Sequence, residues 1–168
     1  LAGRDRMRSH LLDPTEGDAR LTEAISLGRE IYMLHERGAD YSATVKRLSL
    51  LVEHPIADFD VEAAFGSIGP DTFARRQLIA WDQLPLDLTQ QEMLEMIERV
   101  CDASGDELQI EFWLGCLRAN TGDERISDMI FWPGSYFGDG NDARKMSPSE
   151  ILSTASEAGE KSIAVRSE

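Results

Sequence analysis

Met93, Met96, Ile97, Val100 and Cys101 recur at i, i+3, i+4, i+7 and i+8. That spacing makes one continuous stripe on a helix and has no reading as a strand. The start of this helix is also written locally. Thr89 is a good N-cap, Glu92 stands three residues on to complete a capping box, and Leu88 with Met93 occupy the staple positions. The same period returns along the chain. Leu27, Ile31 and Leu34 precede Gly38; Val45, Leu48 and Val52 precede Pro55; Ile110, Trp113, Leu114 and Leu117 precede Gly122. Shorter pieces are expected at 61–65, from Pro70 to about Trp81, and around Ser127, which would cap a brief turn stopped by Pro133. Ser147-Pro148-Ser149-Glu150 opens a last helix expected to end near Gly159. No segment sustains strand alternation, so the expected fold is all-α, with a small helical bundle in the C-terminal half and an additional helical N-terminal half.

Charge narrows the partners. Thirty-one acidic residues against 17 basic give a net charge of −14, and residues 86–168 hold 17 of the acids and 7 of the bases. Such a chain is unsuited to gripping a nucleic-acid backbone and suited to a basic protein. Cys101 and Cys116 have no metal spacing and fall on apolar stripes, which predicts small core residues in a reducing, cytoplasmic setting. No apolar run is long enough to span a bilayer, and the start, LAGRDRMRSH, lacks an apolar signal core. Met7 is a candidate initiator.

Catalytic and metal patterns are weak. His35-Glu36 lacks the second histidine at position 39, which is Ala. Asp139, Asn141 and Asp142 lack the spacing and closing Glu of a calcium loop; a plain loop is expected there. The glycines at 134, 138 and 140 follow no strand. The expectation is a protein that is not an enzyme and has no cofactor.

Three stretches in order then carry a family resemblance. LTQQEMLEMIERVCDA at 88–103, SDMIFWP at 127–133 and SPSEI at 147–151 resemble the colicin and pyocin DNase immunity proteins. The family's middle pattern is Ser-Asp-Leu-Ile-Tyr-Tyr-Pro, and its last helix opens on Ser-Pro-x-x-Ile. The resemblance implies a four-helix immunity-like domain over 86–160. It implies a cognate nuclease toxin as partner, bound at an exosite so that DNA is excluded, by a monomer or weak dimer that contacts neither nucleic acid nor membrane. It places the anchors at Phe131 and Trp132 with Asp128 beside them, and the specificity face at Glu107, Glu111, Gly115 and Arg118. Phe-Trp replaces the family's Tyr-Tyr, Arg118 stands where an acid is expected, and a longer loop after Pro133 adds Tyr136 and Phe137, of which Tyr136 joins the expected partner-binding set. Whether the target cleaves DNA or RNA stays open. The alternative is a non-enzymatic helical adaptor for another basic protein, separated from the first reading by whether Phe131 and Trp132 are exposed.

The remaining organisation is expected to be a disordered arm over 1–20, a helical half of unknown role over 21–84, and a loose tail over 161–168. The N-terminal half reads as a possible degenerate repeat. Leu21-Thr22 recurs as Leu88-Thr89 and Gly66-Ser67 as Gly134-Ser135, while Glu62 and Ala63 stand where Phe131 and Trp132 do.

Overall fold

The computed structural model describes residues 7–167. Among these the chain is all-α, with ten helices and no strand: α1 (Ser9–Leu12), α2 (Leu21–Glu36), α3 (Ser42–Val52), α4 (Asp58–Phe65), α5 (Pro70–Leu78), α6 (Gln90–Cys101), α7 (Glu107–Thr121), α8 (Ile126–Phe131), α9 (Pro133–Phe137) and α10 (Pro148–Arg166). They form two compact units. One comprises residues 13–80; the other joins residues 7–12 to residues 81–167.

In the first unit, α2 packs against both α3 and α5. Ala24, Leu27 and Ile31 of α2 meet Val45, Leu48 and Val52 of α3 and Phe73, Ala74 and Leu78 of α5 in one core, with Val61 from α4. Gly28 lets α2 approach α5: a Cβ there would lie 2.8 Å from the Pro70 carbonyl oxygen and 2.9 Å from the Ala74 methyl.

The second unit is built on α6, α7 and α10. The stripe read from the sequence is its spine, with Met96, Ile97 and Val100 buried against Trp113 and Leu117 of α7 and Ile151, Leu152 and Ala155 of α10. The expected capping boxes are present: Thr89 with Glu92, and Ser147 with Glu150. A third joins Asp106 and Gln109. α7 stops at Gly122, whose left-handed φ of 78° suits glycine.

Several expectations are corrected. The arm over 1–20 is not disordered from residue 7 onward; residues 1–6 lie outside the described residues. Met7 and Leu11 are buried. The Trp113 indole N–H donates to the Leu11 carbonyl at 2.7 Å, and the Gln109 amide donates to the Leu12 carbonyl at 2.9 Å. Arg8 lies 2.7 Å from Glu92 and 2.9 Å from Asp87. Two apolar side chains and a buried indole in need of an acceptor outweigh the polar composition of this segment. Thr15 is also buried, and Asp13 pairs with Arg75 at 3.0 Å.

The tail is not loose up to its end either, since α10 continues to Arg166 on residues that are solvated but helix-compatible. α5 ends at Leu78, short of Trp81, and Trp81 belongs to the second unit. Cys101 is exposed, because it closes the last turn of α6; Cys116 is buried, and burial pushes its thiol up to about 12.

Candidate protein-interaction site

The segment from Asp123 to Arg144 makes a corner of two short helices. α8 begins at Ile126, with Ser127 inside it and no side-chain cap, so the expected capping role of Ser127 is not filled. Ile126 and Met129 face the core. Trp132 leaves helical geometry at φ −138° and ψ 59°, and the chain turns there. Pro133, expected only as a stop, also opens α9: its missing N–H and fixed φ suit a first helical position. The Trp132 N–H donates to the Asp128 carbonyl at 2.7 Å, and its own carbonyl accepts from Ser135 and Tyr136. With its backbone fixed on both sides, the corner leaves Phe131 46% and Trp132 62% exposed.

A buried carboxylate holds this corner. Asp123, only 7% exposed, accepts the Tyr136 hydroxyl at 2.8 Å and the Arg125 backbone N–H at 2.9 Å. Burial, and then the hydrogen bond to Asp123, push the Tyr136 phenol well above its ordinary range. Arg125 reaches Asp128 at 3.2 Å and the Ser135 carbonyl at 3.2 Å, and its guanidinium sits 5.3 Å from the Tyr136 ring centre.

The glycine-rich loop beyond is tied to the same corner. The Gly134 N–H donates to Asp142 at 2.9 Å, and the Gly134 carbonyl accepts from Asp139 and Gly140. A Cβ at Gly134 would come within 2.5 Å of the Asn141 nitrogen, so glycine is required for this approach. Arg144 pairs with Asp139 and lies 4.2 Å from the Phe137 ring centre.

Four of the sequence-predicted site residues therefore meet at this corner: Asp128, Phe131, Trp132 and Tyr136. Asp128 is half-buried and paired with Arg125, and Tyr136 is half-buried under it. The four residues on α7 behave differently. Glu107 is exposed in the first turn, while Glu111 and Arg118 are half-buried. Gly115 is half-buried too, and the segment preceding α6 lies close to it: a Cβ there would meet Leu84 at 2.9 Å and Trp81 at 3.9 Å. Leu84 and Trp81 thus border the middle of the face that these four residues were expected to share.

Sequence reasoning missed Asp123 and Arg125. Asp123 carried no local signal, being one acid among many; its partner Tyr136 lies thirteen residues away. Elsewhere, the His35 ring packs near Tyr41 and Phe65, with Nδ1 lacking a hydrogen-bond partner. Among the described residues no group of three or more His, Cys, Asp or Glu is placed to hold a metal, and no helix is long and apolar enough to cross a membrane.

No protein-family model, no curated protein and no solved structure matches the chain.

Proposed function

We propose that this protein is an immunity protein that binds a bacterial nuclease toxin of the HNH DNase class at an exosite and blocks access to DNA. The observation that carries the reading is the exposure of Phe131 and Trp132 on a corner whose backbone and supporting side chains are already fixed. Large aromatics held in place lose little conformational freedom on binding, which is what makes such residues binding hot spots. Phe131 and Trp132 supply apolar area, and the indole N–H adds one donor. Arg125 and Asp128 pair with each other, so this pair adds no net charge to the patch. The net charge of −14 steers a cationic nuclease toward the protein and repels DNA from the complex.

The test is calorimetric titration of the full chain into catalytically inactive HNH nuclease domains, beside the Phe131→Ala/Trp132→Ala variant. Nanomolar binding weakened by roughly 3 kcal/mol or more in the variant supports the reading. Tight binding that the variant leaves intact overturns this assignment of the anchor. Absence of binding to any nuclease domain shifts the reading to a helical adaptor for another basic protein.

A further inference from the structure

We infer that residues 21–78 are a second copy of the unit that carries the aromatic corner, and that the exposed Phe59 face of α4 is a second docking surface for a cationic nuclease domain. The second part rests on the proposed function.

The buried register within each unit carries the copy. Both units run long helix, long helix, short helix, last helix, with α9 as an extra short helix before the last one in the unit that carries the corner. In both, the first helix packs against the second and the last. Counted from the first residue of each helix, positions 7, 8 and 11 are buried in both first helices: Leu27, Gly28 and Ile31 in α2, and Met96, Ile97 and Val100 in α6. Positions 7 and 11 are buried in both second helices, as Leu48 and Val52 in α3 and as Trp113 and Leu117 in α7. Both last helices open on proline and bury positions 4 and 5, as Phe73 and Ala74 in α5 and as Ile151 and Leu152 in α10. Isolated dipeptide matches arise by chance, but buried positions shared by three pairs of helices, with the first helix packed on the second and the last in both units, are what one fold used twice leaves behind, although α7 also packs against α8 and α10, pairings that α3 does not make to that extent.

The third helices extend the match to the site. Each has aspartate at its third position, Asp60 in α4 and Asp128 in α8. Each buries the next residue, Val61 or Met129. In this register Ala63 occupies the place of Phe131. The aromatic is not lost, however. Phe59 lies four residues before Ala63, one turn away on the same face of the helix, and it is 77% exposed. A phenylalanine so solvated contributes little to its own unit's core.

Charge selects the occupant. α4 carries Asp58, Asp60 and Glu62, and residues 57–65 contain no cation. At α8, by contrast, Arg125 partly cancels Asp128. An apolar knob framed by uncancelled carboxylates suits a lysine- and arginine-rich surface, and it penalises an acidic one by like-charge contact. A single aromatic offers less area than Phe131 with Trp132, so this surface is the weaker of the two.

The experiment counts catalytically inactive HNH DNase domains bound per full-length chain, by sedimentation velocity and calorimetry, for the wild type, Phe59→Ala and Phe131→Ala/Trp132→Ala. Phe59 is exposed, so its truncation leaves the helical circular dichroism and Tm unchanged. The expected result is two nuclease domains per chain, the weaker site losing at least tenfold in affinity in Phe59→Ala and the tighter one in the double variant. One domain per chain, released by the double variant and unaffected by Phe59→Ala, overturns the second surface and leaves the proposed function standing. One domain released only by Phe59→Ala supports the α4 surface and overturns the assignment to Phe131 and Trp132. No binding by any variant or the wild type overturns both.

Discussion

Glu92 is the residue at which local and distant demands coincide. Its carboxylate closes the capping box by accepting the Thr89 N–H at 2.9 Å, and it also receives Arg8 from 84 residues earlier in the chain. The Arg8 hydrogen bond, against the cost of burial and with help from the Thr89 N–H, holds the carboxyl at about 2, below its ordinary 4.5. A carboxyl depressed in the folded state stabilises the fold above the ordinary value, and that contribution is lost as pH falls through about 2. Glu92→Gln is therefore expected to lower Tm by roughly 3 °C at pH 7, discounted because Arg8 is partly exposed and screened. The gap between variant and wild type narrows below pH 4.5 and closes near pH 2. Thermal melts followed by circular dichroism across that range check the sign, and a gap that widens in acid refutes it.

Among the elements, the crossing of α10 over the end of α7 is the tightest. A Cβ on Gly159 would lie 1.8 Å from the Thr121 carbonyl oxygen and 3.0 Å from the Gly122 α-carbon. Backbone cannot yield there as a side-chain tip can. Gly159→Ala is expected to cost about 2–3 kcal/mol by forcing the helices apart, read as a lower denaturant midpoint. Gly115→Ala meets closely only the end of the Leu84 side chain, with Trp81 at ordinary contact distance, and is expected to be far milder, which makes it the control. Such crossings show where the sequence stops being legible. The capping boxes at Thr89–Glu92 and Ser147–Glu150, the stripe on α6 and the stop at Gly122 lie within a few residues of their causes, and sequence patterns expose them. Gly159 was read as the end of a helix because glycine usually means that; only the position of α7 reveals it as a contact. Pro133 reads as a stop for the same reason and Cys101 as core because the stripe runs through it, and nothing local to Gly115 announces Trp81 and Leu84 beside it. The aromatic pair at 131–132 could be located in sequence, but the Asp123 clamp that fixes it could not.

Taken whole, the molecule is less modular than its sequence suggests. Residues 7–12 fill a place in the unit formed by residues 81–167, so cutting the chain near residue 86 to isolate a C-terminal domain removes part of that domain. Residues 81–168 expressed alone are expected to melt lower than the full chain and to expose Trp113, because Leu11 no longer accepts the indole N–H. Leaving a buried donor unpaired costs about 1–3 kcal/mol before the lost apolar contact is counted. A red shift in tryptophan emission together with a lower Tm is the expected result, and a peptide spanning residues 7–12 added in trans is expected to reverse part of both. Emission and Tm equal to those of the full chain would mean that the segment merely rests on the surface.

The bond between Trp113 and Leu11 spans 102 residues. During synthesis, Leu11 leaves the ribosome long before the indole that will hold it exists. Residues 13–80 complete their own set of helices in the interval, so they are able to fold first, while residues 7–12 wait. The inner stretch is thus able to settle early, whereas α1 gains its seat on Trp113 only once α7 has been made.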